Sequence, residues 1–518
     1  MVTNEAAASD GLLVKWDGER YKKGTQSNAV PNHKWGKGVG MDSSGSNRVE
    51  GSSPIVTGIL LFAVLVPAIA AFAILWTRAY AAPFQDDYHA VLEFGGDCAQ
   101  LNSVKDKVRL VASALHTEYK LVFEHAVIAA DLVLTRRIDF SFLQLAGDVF
   151  LLPIGWLLWL VYGERKCGVR ARLVRFLPVS LIFFGLAYWE TLNWAMAGLQ
   201  NLPVVFFSLL SIYLLAGRDG FVVQPMDRRR VESLGFPPLA QEQERAKDGA
   251  PQGCGWACVA GALAAFSSAN GFLVAVVGAW ILLRKRAYWA GVGWGASFVI
   301  PLAAYLYHYV KVPRQVSGLY YVARPLEVFA FLGMAVGSFW GALMAGFAIA
   351  AVVVWALRAG YVRENPVGVY WTIWILLSAL PVAWVRGSTG VVIASRYSIY
   401  SCLMLVFCYA FLADRATAKG REAAPGHGWA RVFYPAALVA ATAFCVVKDV
   451  EAYEKLGARS EMIRAGMEHY RQNPEVNSPL IDAFVIKDVP GEEQYERQEL
   501  TRAIESGIYR EQAIGNRQ

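Results

Sequence analysis

The sequence predicts an all-α polytopic integral membrane protein with about eleven transmembrane helices and an amphipathic helix lying in the outer interface. Three observations predict it. Hydrophobic residues fill 55% of the 518 positions and only 18% are charged, a membrane composition rather than that of a soluble globule. Apolar runs near the ~20 residues needed to cross a hydrocarbon core recur along the chain. The loops between them alternate between arginine-rich stretches and stretches carrying acids, amides and aromatics, and basic loop charge sets membrane orientation. The net charge of +7 is therefore read as topology-setting charge. The lipid bilayer is the expected partner and nucleic acid is not. The 7 cysteines are scattered. Cys254 and Cys258 stand one helical turn apart, yet no histidine or second cysteine pair completes a metal set, so no metal site is assigned.

Residues 1–53 are polar and rich in Gly, Ser and Asn, which predicts a disordered cytoplasmic tail. Pro54 to Thr77 is the first span, read as an uncleaved signal anchor because a long polar leader precedes it. It delivers Pro83-Phe84-Gln85-Asp86-Asp87-Tyr88-His89 to the far side. From Asn102 to Leu134, Leu121, Val122, Ile128, Ala129, Leu132 and Val133 recur at helical spacing, while Glu118, Lys120, Glu124 and Asp131 interrupt any spanning run. That pattern fits an amphipathic helix in the outer interface.

Phe140 to Tyr162 is the second span. The loop after it carries Arg165, Lys166, Arg170, Arg172 and Arg175 against Glu164 and is placed inside. The third span, Phe176 to about Tyr188, leads to Trp189-Glu190-Thr191-Leu192-Asn193-Trp194 outside, and Leu199 to Ala216 returns as the fourth. Spans five and six, about Trp256 to Phe266 and Phe272 to Leu283, are short arms hinged at Ser267-Ser268-Ala269-Asn270-Gly271. Such irregular backbone at membrane depth must be sheltered by protein. Tyr288 to Tyr309 is the seventh, and its outer loop carries Arg324. Leu326 to Leu357 is read as one span with an interfacial lead-in, because two spans would place the basic loop of Arg415, Lys419 and Arg421 outside. Val369 to Val385 is the ninth, the tenth ends at Ala413, and Val432 to Val447 is the eleventh. Residues 54–447 thus form the membrane domain, and 448–518 a partly helical periplasmic tail.

This topology collects polar residues on the outer face. Asp86, Asp87 and His89 come from the first loop, with His116, Glu118, Glu124 and His125 on the interfacial helix. Glu190, Asn193 and Gln200 come from the second outer loop, Asn270 from the hinge, Arg324 from the fourth outer loop, and Arg396 with Tyr397 from the fifth. Adjacent acids raise one another's proton affinity, so Asp86 or Asp87 suits the removal of a proton from an attacking hydroxyl. Arg396 offers a permanently charged fork suited to a phosphate at headgroup level. Each has a plainer reading: acids that end a helix in water, an arginine that snorkels, a histidine that packs. A transporter would instead place polar groups near the midplane with broken helices in matched halves, a pattern the chain lacks.

The Asp-Asp-Tyr triplet after the first span, an interfacial helix opening with Glu118, the Trp-Glu-x-x-x-Trp loop leading to Gln200, the Phe-Ser-Ser-Ala-Asn-Gly hinge and the outer Ser-Arg-Tyr together resemble bacterial members of the GT-C superfamily. These are polytopic glycosyltransferases that use polyprenyl-phosphate sugars. The resemblance covers about residues 55–447 and implies that Asp86 is the catalytic base with Asp87 as partner, and that Arg396, beside Tyr397, binds the donor phosphate. His89, Glu118, His125, Glu190, Asn193, Gln200, Asn270 and Arg324 would support or contact substrate. In one respect the chain departs from the pattern: it reads Glu118-Tyr119-Lys120 where such enzymes often have Glu-His-Arg.

The resemblance implies an inverting glycosyltransferase of the bacterial inner membrane that moves a sugar from a polyprenyl phosphate to a cell-envelope glycan or glycolipid. An O-antigen-type polysaccharide polymerase and a lipid-linked-sugar flippase are the alternatives. No cofactor is called for. A divalent metal is compatible with two carboxylates, although two ligands do not define a site.

Overall fold

The computed structural model describes residues 54–116, 120–163, 168–217, 253–309, 325–386, 395–422, 428–472 and 492–510. The disordered tail expected over residues 1–53 lies outside them, as do Glu118 and Arg324. The described residues are almost entirely helical, and an isolated β-bridge joins Ile138 to Tyr509.

Seven helical segments among the described residues are long and apolar enough to cross a membrane: Pro54–Arg78, Phe140–Tyr162, Ala195–Ala216, Tyr288–Leu306, Phe339–Arg358, Ser398–Thr417 and Arg431–Gln472. Four more apolar helices are shorter, Cys254–Ser267, Ala269–Arg284, Pro325–Val336 and Pro366–Val382. The expected third span is absent from both sets. Its helix runs Val169–Phe184 with Arg170, Arg172 and Arg175 in its first turns, so the apolar part is too short to cross alone.

In chain order, α1 is Pro54–Arg78. A π-helical turn, Tyr88–Glu93, runs directly into α2, Phe94–Gln100. The single interfacial helix expected over 102–134 is two helices, α3 Val104–Ser113 and α4 Val122–Thr135. The α3 helix buries no residue, whereas α4 buries Glu124, His125, Ile128, Asp131 and Leu132. Next come α5 Phe140–Asp148, opened by Asp139, whose side chain accepts from Ser141 N at 2.8 Å, then α6 Leu151–Tyr162, α7 Val169–Phe184, the single turn α8 Trp189–Leu192 and α9 Ala195–Ala216.

The hinge forms as expected, as a 3-10 turn at Ala269–Phe272 between α10, Cys254–Ser267, and α11, Leu273–Arg284. Gly271 makes it possible: a Cβ there would lie 2.0 Å from the Ala264 carbonyl oxygen. After α12, Tyr288–Ser297, and α13, Val299–Leu306, α14 spans Pro325–Gly333 and α15 Phe339–Arg358. The lead-in α14 does not lie flat; it folds back along α15. A Cβ on Gly333 would meet Ala342 O at 2.0 Å and one on Gly346 would meet Phe329 O at 1.8 Å, so the two backbones touch in an antiparallel hairpin. Gly337, at φ 118°, turns the chain between them.

The last helices are α16 Pro366–Arg386, α17 Ser398–Glu422, α18 Gly428–Gln472 and α19 Glu492–Glu505. The boundary expected at 447/448 falls in the middle of α18, an unbroken helix of 45 residues and so about 65–70 Å long. Apolar burial separates into two cores. The larger joins the bundle helices from Val64 to Leu456. The smaller lies at the helix ends and gathers Phe84, Tyr88, Leu92, Ile128, Leu143, Trp194 and Met196 with Ile463, Met467, Leu500, Ile508 and Tyr509. The described carboxyl-terminal residues from Ile463 to Tyr470 and from Leu500 to Tyr509 are therefore built into this head, not appended to it. At the opposite end of the bundle, Arg170 donates to Thr57 at 3.2 Å, and Asp414 pairs with Arg175 and accepts from Tyr361 OH at 2.5 Å.

Candidate active site

The seam between bundle and head is where the chain leaving α1 meets α8, α9 and the 3-10 turn Ser395–Tyr397. Gln85 there holds a left-handed backbone, φ 48°, uncommon for a residue with a Cβ and worth a functional explanation. It separates the fates of the two acids that follow. Asp87 is fully buried. Its Oδ1 accepts from Met196 N at 2.9 Å and its Oδ2 from Phe84 N at 3.1 Å. The carboxyl thus fastens the first loop to the start of α9, and burial pushes its pKa up to about 8 against the lowering effect of those two backbone bonds. Full burial of Asp87 keeps an acceptor hydroxyl from reaching it.

Asp86 turns the other way. It lines a cleft together with Trp194, Met196, Gln200, Asn201, Arg396 and Tyr397, and its side chain remains 24% exposed. His116 Nε2 lies 3.9 Å from its Oδ1. The expected base and the expected phosphate ligand, far apart in sequence, therefore share one wall-to-wall space. Its volume of about 20 Å³ admits a water and nothing larger.

Arg396 is placed by its backbone. Thr191 Oγ1 donates to its carbonyl at 2.7 Å, and its N–H donates to Glu190 Oε2 at 3.3 Å. The guanidinium lies 5.3 Å from the ring centroids of both Trp194 and Tyr397, within cation–π range. Glu190 is held in turn by Arg459 of α18, Nη2 to Oε1 at 3.2 Å. Arg459 itself packs over Phe84 at 4.3 Å and Trp189 at 4.4 Å. Gln200 and Tyr397 thus line the cleft, and Glu190 holds the Arg396 backbone from beside it.

Other expected residues serve elsewhere. His89 pairs with Glu93 at 3.0 Å and stacks on Tyr495 at 4.3 Å, so it binds the head to α19. His125 is buried and stacked on Phe94 at 4.1 Å. Burial, with His116 and Lys120 nearby, depresses its pKa to about 3 and keeps it neutral. Asn193 is buried and does not line the cleft. Asn270 Nδ2 donates to Tyr400 OH at 2.6 Å, tying the hinge to α17.

Three contributors escaped the sequence reading. Met196 supplies a backbone N–H, which leaves no side-chain signature. Arg459 lies in a stretch read as an appendage. Glu124, noted only as part of the outer polar set, is fully buried, and burial with Asp87 and Asp86 nearby raises its pKa well above the carboxylate range. Among the described residues no group of three or more His, Cys, Asp and Glu side chains is placed to hold a metal ion. The acidic pair does not supply two ligands to one point, since Asp87 faces the backbone.

Fold and site define a helical protein with membrane-spanning segments and a polar cleft where its bundle meets a helical head. No family model, curated protein or solved structure matches the chain.

Proposed function

We propose that the chain is an inverting glycosyltransferase of the GT-C type, moving a sugar from a polyprenyl phosphate to a cell-envelope glycan or glycolipid on the periplasmic side of a bacterial inner membrane. One observation carries the reading: Asp86 and Arg396 line a single cleft. The acceptor hydroxyl gives its proton to Asp86 as its oxygen attacks the anomeric carbon. The bond from that carbon to the phosphate oxygen breaks, and its electron pair leaves with the polyprenyl phosphate, whose growing charge Arg396 offsets. Attack from the face opposite the phosphate inverts the anomeric centre. Because the cleft holds only a water as it stands, a sugar enters by parting the first loop from the Arg396 turn. The orientation rests on Arg170, Arg172, Arg175, Arg284, Lys285 and Arg286 falling at the end of the bundle away from the head, which the positive-inside rule assigns to the cytoplasm.

The test is transfer of labelled sugar from polyprenyl-phosphate donors to a membrane-extract acceptor by purified wild type, Asp86→Asn and Arg396→Ala. Asp86→Asn is expected to lose at least ~100-fold, the lower range of general-base catalysis. Wild-type rates in that variant overturn the reading. Chain extension of a preassembled lipid-linked repeat identifies the polymerase alternative, and leaflet exchange without a covalent product, equal in all three proteins, identifies the flippase.

A further inference from the structure

A second cavity, about 350 Å³ and within the size range of small-molecule sites, lies on the other side of the Arg396 turn. Trp189, Gly337, Ser398, Lys448, Glu451 and Lys455 are among its walls. Its polar groups are of both kinds. Glu451 accepts from Lys448 at 2.8 Å through one oxygen and from Lys455 at 2.5 Å through the other. Lys448 is only 8% exposed and lines the cavity; Glu451 is its one ion-pair partner among the described residues, so its ammonium keeps N–H donors for a ligand.

We propose that this cavity binds a saccharide. A hydroxylated ring donates O–H bonds to the spare lone pairs of Glu451 and accepts from the remaining ammonium protons, while Trp189, over which Arg459 packs at 4.4 Å and Lys455 lies at 6.0 Å, adds an apolar wall. A phosphate meets, beside the two ammonium groups, the Glu451 carboxylate that pairs with both, which offsets part of their attraction for an anion; a neutral ring meets no such opposition. Ser398 follows directly on Arg396 and Tyr397, and Trp189 adjoins Glu190, so the two cavities share a wall. That the bound ring belongs to a substrate of the transfer rests on the transferase reading; the binding itself does not.

The experiment is saturation-transfer-difference NMR on full-length protein in lipid nanodiscs, carried out in the Asp86→Asn background so that turnover plays no part. The probes are glucose, galactose, mannose, N-acetylglucosamine and glucuronate, with inorganic phosphate followed by phosphorus line broadening. At least one sugar is expected to give ring-proton transfer. Its affinity should fall about tenfold or more in Glu451→Gln, where a hydrogen bond to a charged group is lost, and in Trp189→Ala. Glu451→Gln is isosteric and keeps the test open should Trp189→Ala fail to fold. The inference is overturned if none of the five sugars binds, if binding survives both substitutions, or if phosphate alone binds. A transfer assay that fails leaves each of these outcomes unchanged.

Discussion

Asp86 and Asp87 are neighbours in sequence with opposite environments, and the difference is testable by pH. Asp87 titrates near 8 in the folded protein and near 4 in an unfolded chain. Between those values the folded state binds more protons than the unfolded state, so Asp87 makes stability fall as pH rises from about 4 to about 8 and contributes no further slope above. The thermal midpoint of Asp87→Asn should lose that slope and also lie lower, because an amide NH2 must face either Phe84 N or Met196 N, both donors. A protonated carboxyl avoids the clash, since both of its oxygens still accept. Arg459→Ala removes one of the partners of the partly buried Glu190 carboxylate, a loss of up to about 3 kcal/mol; it should lower the melting midpoint and slow transfer through the Arg396 turn. Arg459→Lys, which keeps charge without the planar stack on Phe84 and Trp189, should recover only part of either. At this scale Asp86, Glu190, Gln200 and Arg396 were legible, because their chemistry shows in their side chains and in their place at helix ends. The inward turn of Asp87 was not, because it depends on the backbone of Met196. Nor was Arg459, whose partner Glu190 lies 269 positions away.

Among the elements, the hinge and the α14–α15 hairpin depend on glycines that let backbones touch. Gly271→Ala and Gly346→Ala each force a methyl into a carbonyl oxygen and should cost about 1–3 kcal/mol, the usual penalty of overpacking, read as melting in detergent. The hinge could be read from Ser268-Ala269-Asn270-Gly271 because short apolar arms around small polar residues have few other solutions. Folding back of α14 could not, since hydropathy does not distinguish an interfacial helix from one packed against its neighbour. The α19 helix makes a separate prediction. It contributes Leu500 and Ala503 to the head core, Arg502 bonds Asp97 at 2.8 Å, and Tyr495 stacks on His89. Truncation after Gln472 should therefore speed hydrogen exchange across Tyr88–Gln100 while leaving exchange in the buried α9 near that of the full chain.

For the whole molecule, helical class and repeated apolar segments followed from composition and hydropathy, which average over many residues. The division into two cores did not, because the head is assembled from segments as distant as Phe84, Trp194, Ile463 and Tyr509, none with a periodic signal linking it to the others. On the orientation proposed above, the head faces the periplasm, and alkaline phosphatase fused after Gln518 should be active in cells; an inactive, stable fusion would invert the assignment. The continuous α18 helix then has a mechanical meaning. A rod anchored in lipid through Val432 to Val447 and carrying Arg459 at its far half behaves as a lever with the bilayer as its fulcrum. Thinner or thicker membranes are accommodated in part by helix tilt, and a change in the tilt of α18 is expected to reach the Arg396 turn through the Arg459–Glu190 pair. Acyl-chain length in a reconstituted membrane becomes a tuning variable for the cleft.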